Sequence, residues 1–406
     1  MKIKTVCVIG LGYIGLPTAA LLANRNYFVH GVDVVQSTVD TINQGKIHIV
    51  EPELDTFVRS AVNSGNLKAD LKPIEADCFI LAVPTPFHHN DDFHACPAPN
   101  IDYVIAATRS IAPYVRPGNI VILESTSPVG TTDKVAEVLA ESGVDTSFVH
   151  IAHCPERVLP GHIMRELVEN DRIVGGTTAE ATKATADFYR TFVSGAVLET
   201  DAKTAEMAKL TENSFRDVNI AFANELSILC DKFGIDVWNL IELANRHPRV
   251  NILRPGAGVG GHCIAVDPWF IVDAAGGSAR LIETARRVND YKSEWVIEKV
   301  KNLAITFENT HGTKPKIACM GLAFKPDIDD LRESPALFIT RRLISEGMSI
   351  LAVEPNIDNF KEFDIINYEK AIEQANIIVF LVSHKEFKHL DCVNKEILDA
   401  CGVLKS

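Results

Sequence analysis

Cys263 is the side chain best placed by its sequence setting to act as a nucleophile. It lies in PGAGVGGHCIAVDPWF (255–270), beside His262 and four residues before Asp267, in a stretch holding four glycines. Glycines let a ligand approach backbone closely and keep bulky neighbours off the thiol. A free thiol has a pKa of about 8.5, and a nearby cation favours the reactive thiolate. Most cysteines are instead buried as small apolar side chains, and Cys7 and Cys78, inside apolar runs, are read that way. On local features alone, a functional and a structural role both stay open for Cys263. Lys209 and Asn213 are four residues apart, and Arg216 follows three later, so all three share one helical face. The plain alternative is a solvated polar stripe, but the surrounding small and apolar residues argue that it faces something polar. A third group, Gly10, Gly12 and Gly15, has the spacing G-x-G-x-x-G. The first glycine permits a tight turn, the second lets backbone approach a pyrophosphate, and the third allows close helix–strand packing. Asp33 closes the next apolar run, where a carboxylate takes the ribose 2′-hydroxyl of NAD and repels the 2′-phosphate of NADP. A turn with a surface aspartate is the alternative.

These groups need elements to hold them. Residues 5–10 and 27–33 read as strands flanking a helix from Pro17 to Arg25, and apolar runs recur at 78–83, 119–124 and 148–152 with helix-length segments between. Alternating strands and helices, continuing to about residue 195, predict a parallel, doubly wound sheet covered on both faces. Residues 201–233 then contain no Gly or Pro and stop at Gly234, with Asp201 as the N-cap, which predicts one long helix of roughly 50 Å. A helix of that length bridges domains or forms a subunit interface. A second helical stretch runs from about 279 to 305, after the Gly/Pro-rich loop 255–268. From 315, KIACMG, SILAVEP and NIIVFLVSH restore the β/α alternation. The fold class expected is α/β, with two Rossmann-like doubly wound domains joined by a helical centre, divided as 1–197, 198–308 and 309–406.

Composition bounds the function. The chain has 406 residues, 47% hydrophobic and 23% charged, as in soluble globular proteins of two or three domains. No apolar run reaches the roughly 18 to 20 residues of a membrane span. Lys2 and Lys4 precede the run VCVIGLGYIGLP, but its three glycines mark a nucleotide turn rather than a targeting segment. A net charge of −13 argues against a general nucleic-acid binder while leaving room for an anionic small substrate. Nine scattered cysteines without a C-x-x-C pair indicate a reducing cytosol.

Six motifs then occur in order: GLGYIG (10–15), ESTSPVG (124–130), CPERVLPG (154–161), KLTENSFRDVNIAFANE (209–225), GVGGHC (258–263) and GLAFKPDIDDLRES (321–334). Over essentially the whole chain they resemble the UDP-glucose/GDP-mannose dehydrogenase family. GGHC, ANRHPRVNIL (244–253), VEPELDTFV (50–58), LAVPTPF (81–87) and GHCIAVDPWFIV (261–272) resemble its branch acting on N-acetylated sugars. The resemblance implies three domains, with NAD bound by the first, UDP by the last, and a homodimer paired through the long helix. The cofactor would meet Gly10, Gly12, Tyr13, Ile14, Gly15, Asp33, Pro84, Thr85, Thr126 and Arg332. The substrate would meet Glu156, Arg157, Val158, Leu159, Lys209, Asn213, Arg216, Gly260, His262, Phe324 and Lys325, with Arg249 reaching it across the subunit interface. Cys263 would be the nucleophile, Lys209 and Asn213 the oxyanion donors, Glu156 and Asp267 the proton and water handlers, and Thr126 would position the reacting groups. The implied substrate is UDP-N-acetyl-D-mannosamine, oxidised with two NAD per turnover to a uronate used in surface polysaccharide such as enterobacterial common antigen. UDP-N-acetylglucosamine and UDP-glucose are the alternative sugars.

The loop FHHNDDFHACPAPN (87–100) departs from the family pattern. His88, His89, His94 and Cys96 could be read as metal ligands, but no matching second ligand pair accompanies them, and no metal is expected. Two other classes remain as rivals. A one-step β-hydroxyacid dehydrogenase shares an N-terminal NAD domain and a helical region but needs neither Cys263 nor a third α/β domain. A non-catalytic nucleotide sensor would have no reason to keep Cys263, Lys209, Asn213 and Asp267 together.

Overall fold

The computed structural model describes residues 3–88, 96–159 and 161–405. His89 and His94 therefore lie outside the described residues. The chain forms two compact units, Met1–Thr211 and Glu212–Ser406.

The first unit is built on strands β1 (Thr5–Ile9), β2 (Phe28–Val32), β3 (Leu67–Asp70), β4 (Cys78–Leu81), β5 (Ile120–Leu123), β6 (His150–His153), β7 (Arg172–Gly176) and β8 (Val197–Asp201). Their order is β3-β2-β1-β4-β5-β6-β7-β8, the doubly wound arrangement expected, with the order reversing beside β1. Helices α1 (Gly15–Asn24), α2 (Gln36–Asn43), α3 (Leu54–Asn63), α4 (Asp102–Ile111), α5 (Thr131–Glu141), α6 (Ile163–Glu169) and α7 (Ala179–Tyr189) connect the strands. The strand period is visible in the burial. Val6, Val8, Cys78, Ile80, Ile120 and Ile122 enter one core, while Cys7, Ile9, Phe79, Leu81, Val121 and Leu123 enter the other. Strands buried on both faces read as unbroken apolar runs, which is why the central ones were legible.

One pairing departs from an all-parallel sheet. β6 and β7 are antiparallel, with Ala152 opposite Gly176 and His153 opposite Gly175. Continuing that register past β6 sets Glu156 against Arg172. The strands of this sheet that escaped sequence reading, β3 (LKAD), β7 (RIVGG) and β8 (VLETD), are polar or glycine-bearing; β3 and β8 are the sheet's edges, where one side need not be apolar.

Helix α8 (Ala202–Phe233) spans 32 residues, about 48 Å, and crosses from the first unit into the second. Asp201 caps it through Thr204 N–H at 3.0 Å, and Gly234 at φ 68° ends it. The second unit continues with α9 (Val237–Ala244), α10 (Asp267–Ala275), α11 (Arg280–His311), β9 (Lys316–Met320), α12 (Pro335–Ser345), β10 (Ser349–Val353), α13 (Tyr368–Gln374), β11 (Ile377–Phe380) and β12 (Glu396–Asp399). Its sheet, ordered β10-β9-β11-β12, is parallel throughout. Ile317, Cys319, Ile377 and Val379 face one core, and Ala318, Met320, Ile378 and Phe380 the other. The Gly/Pro-rich loop gives way earlier than its composition suggests, because Pro268 sits in the first turn of α10, where its missing N–H costs nothing.

Candidate active site

The first glycine turn is constructed as a cofactor cradle. Gly10 has φ 90°, and its N–H donates to Val32 O at 2.8 Å. A Cβ on Gly15 would stand 1.8 Å from Gly10 O, so α1 packs against the turn only because Gly15 lacks a side chain. A Cβ on Gly12, by contrast, would meet nothing within 4 Å. That open backbone is where a pyrophosphate fits, over the start of α1, whose N-cap Ile14 supplies no side-chain hydrogen bond to the first-turn amides. Asp33 accepts from Leu11 N–H at 3.1 Å and Val35 N–H at 2.9 Å, which fixes a half-exposed carboxylate beside the turn. Tyr13 is exposed next to Gly12. The residues fit an NAD.

At the ends of the next strands, the chain is stitched into the loops that carry the candidate residues. After β4, Thr85 Oγ1 donates to Thr126 O at 2.7 Å, and Ser125 Oγ donates to Val83 O at 2.6 Å, so Pro84, Thr85 and Thr126 are held together. After β6, Glu156 is buried and paired with the buried Arg172 at 2.6 Å, while its other oxygen accepts Arg157 N–H at 2.7 Å. Arg157 Nη1 donates to Asp171 O, and Val158 packs on the core. Leu159 is exposed, its N–H on Glu166 at 2.8 Å. Behind this loop the buried Glu51 accepts both Gly161 N–H and Ile163 N–H at 2.8 Å. Glu124, at the end of β5, is buried with Thr18 and Tyr189 hydroxyls on its oxygens. Burial, reinforced by the nearby Glu156, pushes its carboxyl up to about 8.

In the second unit, Cys263 is exposed, whereas five of the other eight cysteines are buried and three half-buried. Its carbonyl accepts Asp267 N–H at 2.8 Å, which begins α10. The buried Asp267 carboxylate takes the Asn213 amide at 2.5 Å. Of the polar stripe expected on α8 only Asn213 is buried, Arg216 pointing instead to solvent, and the buried polar face continues through Asp217 and Asn224. Asp217 accepts from Arg286 at 2.7 Å and from Asn289 at 2.8 Å, both on α11. Asn224 donates to Asn289 and accepts Gly256 N–H at 2.9 Å, and Ser293 Oγ holds Ala257 O at 2.9 Å. Lys209 is half-buried one turn before Asn213, and Arg216 is exposed.

The glycines of the cysteine loop have a different reason from the one their spacing suggested. A Cβ on Gly260 would lie 2.4 Å from Glu333 O, one on Gly261 2.8 Å from the Phe324 ring, and one on Gly258 2.7 Å from Ser293 Oγ. The loop is clamped against 322–335, and its glycines make room for protein as well as ligand. Arg332 forks onto Asp330 (2.9 and 2.6 Å), while Gly261 N–H donates to the Arg332 carbonyl at 3.2 Å. Partial burial and the nearby Arg332 lower the pKa of His262, partly offset by Asp330. Lys325 and Arg249 are exposed. A cleft of about 420 Å³ is lined by Arg254–Gly258, Phe324, Asp327, Ser383 and Lys388, basic groups over an apolar floor suited to a nucleotide.

Residues 4–193 match the NAD binding domain of the UDP-glucose/GDP-mannose dehydrogenase family, 203–291 its central domain and 318–406 its UDP binding domain. The chain belongs to this family. It is an NAD-dependent nucleotide-sugar dehydrogenase with a UDP-binding domain. It is 58% identical over 403 residues to a UDP-N-acetyl-D-mannosamine dehydrogenase of Campylobacter jejuni, covering 95% of this chain and 97% of that one. It is 54% identical over 402 residues to an NDP-N-acetyl-D-galactosaminuronic acid dehydrogenase of Ralstonia nicotianae, with 96% and 92% covered. The solved UDP-N-acetyl-mannosamine dehydrogenase of S. aureus is similar with a TM-score of 0.88 and 42% identity, covering 99% and 96%.

For this dehydrogenase, sequence reading singled out these segments but missed the residues that hold them. Glu51, Arg172, Asn224, Asn289 and Ser293 bear on the candidate loops through buried hydrogen bonds. Asn224 could have been found, since it continues the polar face of α8. Glu51 and Arg172 carried no local signal. Among the described residues Asp327, His384 and Glu386 lie close enough to share an ion. His384 is already committed, since Nδ1 accepts Asp327 N–H at 3.0 Å and Nε2 faces Glu354 at 3.1 Å. No helix among the described residues is long and apolar enough to cross a membrane.

Proposed function

We propose that the protein oxidises the C6 alcohol of UDP-N-acetyl-D-mannosamine to the carboxylate in two steps, through a thioester on Cys263. The observation that carries this is the setting of the thiol. Of nine cysteines, the exposed one sits one turn from the buried Asp267–Asn213 pair, on the loop that floors the nucleotide cleft. The 58% identity to the Campylobacter jejuni enzyme supports the sugar. The 54% identity to the galactosaminuronic acid dehydrogenase favours a second reading, an N-acetylgalactosamine nucleotide.

Gly12 and Asp33 would hold NAD at its pyrophosphate and ribose, and the cofactor would supply the hydride acceptor for each oxidation, two NAD per turnover. The protein does the rest. In the first oxidation a carboxylate or bound water takes the hydroxyl proton, and Lys209 and Asn213 stabilise the developing oxyanion. A well-aimed donor of this kind commonly supplies about 3 kcal/mol. The aldehyde, being planar, holds its hydrogen poorly as a hydride donor. The Cys263 thiolate adds to C6, forming a C–S bond and a tetrahedral oxyanion. Collapse of that oxyanion expels hydride and leaves the thioester. Water, deprotonated by Glu156 or Asp267, then attacks the thioester carbon, the C–S bond breaks, and the thiolate returns as the uronate leaves. Thr126 holds the reacting groups in register, Arg157 to Leu159, Gly260, His262, Phe324 and Lys325 line the sugar nucleotide, and Arg332 reaches the cofactor.

The parts fall as cofactor domain (1–197), catalytic helical centre (198–308) and UDP-sugar domain (309–406). On α8 the exposed Phe215, Phe222, Leu229 and Phe233 recur at seven-, seven- and four-residue spacing, an apolar seam that a second copy would cover, with Arg249 contributed across the dimer. The uronate is a precursor of surface polysaccharide made in the cytoplasm. Incubating the protein with NAD and UDP-N-acetylmannosamine, UDP-N-acetylglucosamine, UDP-N-acetylgalactosamine or UDP-glucose tests the reading. We expect two NADH per molecule, fastest with the mannosamine. One equivalent supports the β-hydroxyacid type of chemistry, and none the sensor.

A further inference from the structure

We propose that Glu206 is a positioning residue of the oxidation, locking the Thr126 turn to the turn of α8 that carries Lys209. Glu206 lies three residues before Lys209, one helical turn away on the same side of α8. Its side chain is buried, and Oε2 accepts Gly130 N–H at 2.6 Å. Oε1 accepts both Thr132 N–H at 2.7 Å and Thr132 Oγ1 at 2.6 Å. One carboxylate therefore takes three donors from the first turn of α5.

Residue 130, the N-cap position of α5, would ordinarily be Ser, Thr, Asp or Asn and cap its own helix. Here it is glycine at φ 96°, with no side-chain cap, and the cap comes from α8 instead. A local cap would stabilise α5 equally well. The borrowed one adds a rigid link from α8 to the turn 125–130. The other end of that turn is fixed by Thr85 on Thr126 O and Ser125 on Val83 O. Thr126 is thus pinned on one side to the loop that follows β4 and on the other to the helix of Lys209. A buried carboxylate is costly unless fully hydrogen-bonded. Burial does raise the pKa of this one, despite its three donors.

The inference rests on the roles proposed above for Thr126 and Lys209. The test is steady-state kinetics of Glu206→Ala, Glu206→Gln and Thr132→Val, with NAD affinity measured separately by fluorescence titration and folding by thermal melting. Misplacing reacting groups by about 1 Å costs on the order of 10²-fold in rate. We expect kcat to fall about that much in Glu206→Ala, and by about tenfold in Glu206→Gln, whose amide turns a donor toward Gly130 N–H. Thr132→Val, which keeps the carboxylate, should lose only about threefold. KM for the UDP-sugar and Kd for NAD should stay within about threefold throughout. Native kcat in folded Glu206→Gln, or a loss appearing in KM rather than kcat, overturns the proposal. If Glu206→Ala does not fold, the other two variants decide. Should the native protein leave UDP-N-acetyl-D-mannosamine unoxidised, the proposed substrate fails by itself, and the variants are compared on whichever panel sugar it oxidises.

Discussion

The chain makes the same tight turn twice and uses it differently. In the first unit Gly10 (φ 90°) donates to Val32 O, and Leu11 N–H donates to Asp33. In the second, Gly321 (φ 95°) donates to Val353 O, and Leu322 and Ala323 N–H donate to Glu354 at 2.8 and 2.9 Å. The two carboxylates hold equivalent places at the end of the second strand of each unit. The chain beyond each turn separates them. After Gly10 a helix begins at Gly15, its amides open over the turn and Asp33 half-exposed. After Gly321 no helix begins until Pro335, and the intervening segment lies on Gly260 and Gly261 of the cysteine loop. Glu354 is buried and shared with His384. One turn is left open to a ligand, and its counterpart braces the cysteine loop. A strand–glycine–acid pattern therefore fixes a backbone shape, and the exposure of the acid decides its use.

The sharpest break of this comparison is Gly15→Ala. With its Cβ 1.8 Å from backbone, we expect loss of about 3 kcal/mol and of NAD binding together, read by melting and titration. Swapping acid for amide should then separate the two turns. Glu354→Gln strands amide donors in a buried place and should cost about 2 kcal/mol with NAD affinity unchanged. Asp33→Asn should leave the melting temperature near native while NAD binding weakens about tenfold and NADP gains ground. Equal effects of both on NAD would erase the distinction.

The units should also respond oppositely to pH, the smallest of these effects. Burial alone would raise Glu354, but His384 and the two amides outweigh it and hold its carboxyl below the usual range. Its stabilisation is present above the unfolded value of about 4.5 and is lost as pH falls through the lower folded one. Glu124, pushed up to about 8, does the reverse: its contribution is full below about pH 4.5 and disappears as pH rises to about 8. Melting curves of Glu354→Gln and Glu124→Gln against pH should flatten the acid and the neutral-to-alkaline slopes respectively.

How much of this was legible depends on where each signal resides. Gly10 and Gly15 declare themselves because backbone sterics restrict those positions, and Gly12 and Asp33 because a dinucleotide needs open backbone and a carboxylate at that spacing. The long helix was readable because 33 residues without Gly or Pro leave few alternatives, and its stop at Gly234 is local chemistry. Glu51, Glu206 and Asn224 act across tens of residues, taking backbone amides that no spacing rule connects to them. The second turn was invisible as a repeat because Ala323 and Pro326 stand where the first has Gly12 and Gly15, and its acid is a glutamate where the first turn has an aspartate.

The most direct test of the central claim is single-turnover oxidation by native protein and Cys263→Ala, following NADH while quenched samples are weighed by intact mass spectrometry. Native protein should give two NADH per UDP-sugar and a transient sugar adduct that hydroxylamine removes, and the variant should give no uronate and no adduct. Two equivalents of NADH and native amounts of uronate from Cys263→Ala would refute the thioester route.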